Sequence, residues 1–516
     1  MNRSSNRLFT AGGNGRVSAG PSRRDFLRTT GILGAAGLSG ILASCGGDDP
    51  PSSEGNASSP SSGGGQGGGT VRVWTVPTGP EDEQFQRAQF DQFAQDNPDV
   101  EVELQFFPPD QYANAMQLAF TGGQDTPDVF RQSSGQGLDL RGAHGRGWVR
   151  PITEFLTDDF TARFPDYVYD PDRSPLYIDD EAWGVPNADP AVNGSRLLYY
   201  NIDVLGEFGF DAPPSTWSEM REMAAKITTD GGGRVYGTAP VGGALKTAMI
   251  LQNLAGPQPY RSDAEPPISL LTGEPAMSES SMVEMVELLQ SMNSDEIFTP
   301  GWETWDPTQV LQQMAAGRLG MYIFPVFHAA ELRKANADLN LGIASPPVPD
   351  SGRAGSRAPA NGVMAWWMMS SEARSPEAAW RVLDFFGSVD FQRAAFEDQG
   401  QISIMPGVYE GIEVDEDTTR IREVAAEVVR NRPEPTDVDP AVEEFYENLV
   451  SNGPRPNPLE RITEAITRGT DFRAAAEAYD EELAETIEAE LERSDLGTMD
   501  AFVFPDWDPL EEYSAS

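Results

Sequence analysis

Two histidines, His144 and His328, and a single thiol, Cys45, are all that this chain offers for imidazole or thiol chemistry. No pair of histidines stands at zinc spacing, and no Gly-x-Ser-x-Gly turn presents an activated serine. No catalytic triad, metal site or cofactor is therefore expected. Carboxylate is what the chain has in quantity: 81 Asp and Glu against 37 Lys and Arg, a net charge of −44. A glycoside hydrolase needs only two carboxylates, so an exported hydrolase survives this count as the alternative of a different class. So negative a chain is not expected to bind nucleic acid or anionic lipid. The only lysines are Lys226, Lys246 and Lys334. Such an acidic surface fits either life in high salt or a genome rich in Arg, Asp and Glu codons.

These groups need a scaffold. Thr70 to Thr75 alternates as a short strand, and a helix follows from Glu81 to Asn97, stopped by Asn97-Pro98. Val100, Val102, Leu104 and Phe106 share one face of a second strand. A helix around Tyr112 to Phe120 and a third strand at Asp128-Val129-Phe130 complete the pattern of a parallel sheet with helical crossovers. Ligands of such sheets sit beyond the carboxyl ends of the strands, which places Thr75, Pro77, Arg131, Gln132 and Ser133 near a site. A second unit begins after Trp183-Gly184-Val185-Pro186, with a strand at Ser195 to Tyr200. Thr216-Trp217-Ser218-Glu219 is a capping box, and the same device is expected at Ser281-Met282-Val283-Glu284. Ser375-Pro376-Glu377 caps a further helix, and from Asp417 onward the chain is mostly helical, closing with Phe472 to Leu491.

The amino-terminal segment is of another kind. Ser22-Arg23-Arg24-Asp25-Phe26-Leu27-Arg28, then an apolar stretch from Gly31 to Ile41, make a twin-arginine export signal over residues 1–44. That stretch falls short of the roughly 20 residues that span a bilayer. Six arginines against Asp25 lie here, so the rest of the chain carries −49 where the whole carries −44. Residues 45–69 are Gly, Ser, Pro and Asp with almost nothing apolar, a flexible tether with an end-to-end distance of about 25–30 Å. Leu42-Ala43-Ser44-Cys45 resembles a lipobox, which implies cleavage before Cys45, acylation of its thiol and a lipid anchor on the outer face of the cytoplasmic membrane.

From about Thr70 to at least Gly469 the chain resembles the extracellular solute-binding proteins of ABC importers, in the carbohydrate-binding branch that includes maltose-binding protein. The segments that carry this are Thr121-Gly122-Gly123 with Pro127-Asp128-Val129-Phe130, Trp183-Gly184-Val185-Pro186, and Leu198-Tyr199-Tyr200-Asn201 running on to Pro213-Pro214-Ser215-Thr216-Trp217. Gln313-Met314-Ala315-Ala316-Gly317-Arg318 and Ser375-Pro376-Glu377-Ala378-Ala379-Trp380 extend it. The resemblance implies an α/β fold of the two-lobed periplasmic-binding type (class II), with lobe one at 70–190 plus 362–398 and lobe two at 191–361 plus 399–516. Crossings would fall near Pro190 to Arg196, Ser356 to Asn361 and Gln399 to Ile404. It further implies a monomeric receptor without enzymatic activity, with a sugar as ligand and the membrane subunits of a permease as partners. Polyamine or ferric ion remain as non-sugar solutes, the latter on account of Tyr199-Tyr200.

A sugar site needs rings for the C–H faces and amides or carboxylates for the hydroxyls. Trp74, Trp302 and Trp305 are the stacking candidates, with Phe327 where the family often carries a Trp. Gln132, Ser133, Asp189, Asn193, Asp306 and Asn361 are the polar candidates. Of Trp366 and Trp367, in a strand, one is expected in the core.

Overall fold

Val71 and Val73 point into a core and Arg72 away from it, so the first described segment is a strand. The computed structural model describes residues 68–77, 80–123, 125–133, 138–171, 174–193, 195–241, 245–259, 265–358 and 363–513. These belong to one unit, Gly65–Ser516. The export signal and Cys45 lie outside the described residues. The described strands are β1 (Gly69–Thr75), β2 (Val100–Phe106), β3 (Val129–Arg131), β4 (Tyr177–Ile178), β5 (Glu181–Ala182), β6 (Gly184–Val185), β7 (Arg196–Asn201), β8 (Tyr236–Thr238), β9 (Leu319–Pro325), β10 (Leu341–Ala344) and β11 (Trp367–Met369).

The fold is α/β in two lobes, each built on a sheet. The first sheet has the order β2-β1-β3-β11-β6. β1 pairs in parallel with β2 from Gly69↔Val100 to Thr75↔Phe106, and with β3 on its other side. Helices Pro80–Asp96 and Pro109–Gly122 make the crossovers. β11 runs antiparallel to β3 and to β6. The carboxyl ends of β1, β3 and β6 and the amino end of β11 therefore share one edge.

The second sheet has the order β10-β7-β9-β8, with β8 and β9 parallel and β7 antiparallel to both neighbours. Gly342 faces Tyr200 in register, and a Cβ there would lie 2.1 Å from the Tyr200 ring. Arg196 pairs with Pro325, so the amino end of β7 and the carboxyl end of β9 lie together, at the end where the chain enters from the first lobe.

Each sheet has its own hydrophobic core. The first gathers Val71, Phe90, Tyr112, Phe130, Val185, Trp367 and Phe386, and takes in Ile404, Met405 and Val408. Those last three fall within 399–516, the span expected for the other lobe, so that boundary is corrected. The second core holds Leu198, Trp217, Ile227, Tyr322 and Ile402 together with the carboxyl-terminal helices. Tyr409 packs against both cores. The chain thus enters the first core again after Ile402, because Ile404 and Val408 have apolar partners there.

Local signals behave unequally. The Thr216–Glu219 capping box forms, and Met220, Ala224 and Ile227 turn inward. Ser281 does not cap. Its helix starts at Ser280, and its hydroxyl accepts a hydrogen bond from Gln252 Nε2 at 3.1 Å inside the core. Ser375 precedes helix Pro376–Phe386 without a side-chain hydrogen bond to it. Helix Phe472–Leu491 has Asp471 as its cap and buries Phe472, Ala476, Tyr479, Leu483 and Ile487, an i, i+4, i+7 stripe.

Candidate functional site

The shared edge of the first sheet carries Arg131 at the end of β3. Its guanidinium donates to the Val76 carbonyl, lies 3.9 Å from the Asp82 carboxylate, and sits over the Trp366 ring at 4.6 Å. The Arg131 carbonyl accepts a hydrogen bond from Tyr112 Oη at 2.7 Å. Burial lowers the pKa of the guanidinium, and Asp82 opposes that by stabilising its charge. Beside it, the Gln132 backbone donates to Trp366 O at 3.0 Å, and Ser133 N donates to Leu138 O at 3.2 Å. Arg131 and the half-buried Trp366 thus form one polar and aromatic surface where β3 and β11 meet, while Gln132 is buried with its Nε2 3.1 Å from Met364 Sδ. Trp366 faces this surface and Trp367 stacks flat on Phe386 at 3.8 Å in the core. Trp74 is only 6% exposed and packs on Phe107 at 4.7 Å, so β1 ends in a buried ring without a face for a sugar.

On the second lobe the carboxyl end of β9 presents Phe327, with 44% of its surface exposed. It meets Phe324 edge-on at 5.7 Å, which fixes the ring from behind. Helix His328–Ala335 follows it. His328 is buried beneath this end, with Nδ1 3.0 Å from Tyr322 Oη and Nε2 3.4 Å from Glu331. Lys334 Nζ lies 4.0 Å from Glu81 at the start of helix Pro80–Asp96 and donates to Asp398 O at 2.5 Å. The two lobes therefore approach each other along Glu81 and Lys334. Burial raises the Glu331 carboxyl pKa, and nearby Glu81 adds to the shift.

The chain segments joining the lobes are tied by amides. Gln392 Nε2 donates to Asn187 Oδ1 at 2.6 Å and to Phe386 O at 2.9 Å, and Ser403 Oγ donates to Gln392 Oε1 at 2.8 Å. Gln401 Nε2 donates to Asn187 O at 3.0 Å, and Asp189 N to Ile402 O at 2.9 Å. The Asp189 carboxylate accepts from Ala191 N and Val192 N at 3.0 and 3.2 Å, capping the turn Pro190–Asn193. Burial raises its pKa, outweighing those two bonds and the field of Arg422. Tyr167, 44% exposed, lies close enough to feel the Asp189 charge, and was not among the sequence candidates.

The other expected residues are elsewhere. Trp302 is 3% exposed in the second core, its Nε1 donating to Asn293 Oδ1 at 2.9 Å. Asp306 caps helix Pro307–Ala315 in a capping box with Gln309. Its signal, Asp-Pro-x-Gln, stands in the sequence and is structural. Trp305 lines a separate pocket beside Arg234 and Arg318. Asn193 closes its helix, and its side chain, like Asn361, lies outside the described residues. Tyr199 Oη donates to the carbonyls of Pro325 and Val326 at 3.0 Å, while Tyr200 points to the opposite face over Gly342. Two neighbours on opposite faces of a strand cannot jointly hold a ferric ion.

Residues 77–393 match the model of the bacterial extracellular solute-binding proteins. A binding protein of Brucella abortus (strain 2308) is 25% identical over 338 residues, covering 65% of this chain and 75% of its own. A maltose-bound protein of T. maritima shares the fold at TM-score 0.58 and 19% identity, over 81% of this chain and 99% of that one. A receptor of Streptomyces glaucescens, solved unliganded and with acarbose, superposes at TM-score 0.59 and 15% identity, over 82% and 99%. The family match spans more than half of the sequence and falls on both sheets, so the chain belongs to the bacterial extracellular solute-binding proteins.

Proposed function

We propose that this protein is a lipid-anchored receptor on the outer face of the cytoplasmic membrane, which closes its two lobes on a sugar or oligosaccharide and passes it unchanged to an ABC permease. The observation that carries the reading is the pairing of surfaces at the inter-lobe edge. Phe327 offers a ring from the second lobe, and Arg131 over the Trp366 ring offers a polar, ring-backed surface from the first. A pyranose needs both an apolar face and bonded hydroxyls. Contacts from both lobes favour the closed state only if the ligand touches both at once. The sugar-bound folds similar to this one support the ligand class, and the Arg23-Arg24 and Cys45 signal supports the anchor. A thermal-shift screen across mono-, di- and oligosaccharides tests it, because a ligand of the native state alone raises the melting temperature. The sugar should be recovered intact; hydrolysed sugar would make the protein an enzyme instead, and no shift with any carbohydrate would move it to another solute.

A further inference from the structure

The pocket that holds Trp305 lies at the other end of the second sheet from the crossing segments. It has a volume of ≈580 Å³, within the span of small-molecule sites. Tyr236 and Arg318 flank the amino ends of β8 and β9, whereas the crossing chain meets β9 at Pro325. The seven residues of β9 separate the two ends by about 20 Å. Gly233 and Gly317 lie on its rim with φ of 79° and 68°, turns that keep side chains away from its mouth.

Its lining is unusual for so acidic a protein. Arg234 and Arg318 are both exposed, and neither guanidinium has an ion pair or hydrogen bond within the described residues. Among the described residues, Arg333, Arg374 and Arg381, by contrast, are each paired with a carboxylate. Between the two arginines lie the rings of Trp305 and Tyr236, both partly buried, with Gln313 and Thr299 as neutral hydrogen-bonding groups. Planar guanidinium groups recognise carboxylates through paired hydrogen bonds, and an indole offers a flat apolar face.

We infer that this pocket is a second binding site, distinct from the inter-lobe edge, for a small carboxylate carried on a ring. The ring is either a sugar acid or an aromatic acid; the two share the chemistry the pocket recognises. This inference does not rest on the inter-lobe reading, and either could fail alone.

Titration calorimetry on the purified protein tests it with glucuronate and benzoate, each against its neutral counterpart, glucose and benzyl alcohol. At least one carboxylate should bind, and which one does identifies the ring. Arg234→Gln combined with Arg318→Gln should weaken that binding by about tenfold or more, the loss expected from charge-assisted bonds. Both positions are exposed, so the variant keeps its fold. Phe327→Ala, at the inter-lobe edge, should leave it unchanged. Binding that survives the double arginine variant and falls with Phe327→Ala belongs to the inter-lobe edge and overturns the proposal. Binding of a neutral counterpart that equals its carboxylate and is unaffected by Phe327→Ala, or no saturable binding by either carboxylate, overturns it as well.

Discussion

Gln392→Met replaces a buried amide, 1% exposed, by an apolar side chain of similar size, and it does so at the junction between the lobes. Three hydrogen bonds are lost: those to Asn187 Oδ1 and Phe386 O, and the one received from Ser403 Oγ. Volume is nearly conserved, so no cavity term enters. Each neutral bond contributes about 1 kcal/mol net, and a buried group left without a partner costs about 1–3 kcal/mol. The Ser403 hydroxyl loses its acceptor, although its oxygen still accepts from Met405 N at 3.1 Å. Asn187 Oδ1 keeps no other bond to Gln392, but its Nδ2 still donates to Gln401 at 3.2 Å. Together these give a loss of about 2–4 kcal/mol. Equilibrium urea unfolding followed by Trp fluorescence reads it as a fall in midpoint on the order of 1 M, given urea slopes of a few kcal/mol per M. Ser403→Ala in the same background should add less than it costs alone, because the two share one bond. A midpoint unchanged by Gln392→Met, or strict additivity with Ser403→Ala, would refute the claim that this amide ties the lobes together.

Phe327→Ala should weaken sugar affinity by about 1–3 kcal/mol without lowering the melting temperature, as the ring is half exposed; Trp302→Phe should do the reverse, destabilising the fold while calorimetric affinity stays put. Replacing Cys45 by Ser should release the protein from the membrane, and fractionation that finds it still membrane-bound would reject lipidation there. Repulsion among the carboxylates should be screened by salt, with a Debye length of about 10 Å at 0.1 M and 3 Å at 1 M, so melting temperature should climb from dilute buffer to molar KCl; a flat curve would count against it. The folded Glu331 carboxyl has a raised pKa, so the fold favours its protonated form. Its penalty is absent below the unfolded value and complete above the folded one, and stability falls as pH rises between them. Glu331→Gln should therefore gain stability over the parent at neutral pH and lose that gain at low pH, and an equal gain at every pH would dismiss the carboxylate as its source.

What the sequence discloses depends on how far a residue must look for its partners. The Thr216 capping box and the closing helix Phe472–Leu491 are decided within a few residues, and both form. Ser281 carries the same local signal and fails, because Gln252, 29 positions away, claims its hydroxyl. Trp74 and Trp302 read as rings at the right places, yet Phe107 covers one and Asn293 takes the N–H of the other. Asp306 shows the opposite case: its local meaning, a cap for helix Pro307–Ala315, is legible in Asp-Pro-x-Gln and prevails over a ligand role. Alternation required Trp366 and Trp367 to face opposite ways, but not which was core; Phe386, packed flat on Trp367, decides it. A sheet flanked by helices buries both faces, so a ring's parity along a strand says little about ligand access. Position at a strand end says more. Arg131, closing β3, follows from that rule, and Phe327, named through the family resemblance, stands just past β9, whereas rings set by distant packing do not follow it. The proposed inter-lobe site is thus legible as an edge of each sheet, and its side chains only once the cores have claimed theirs.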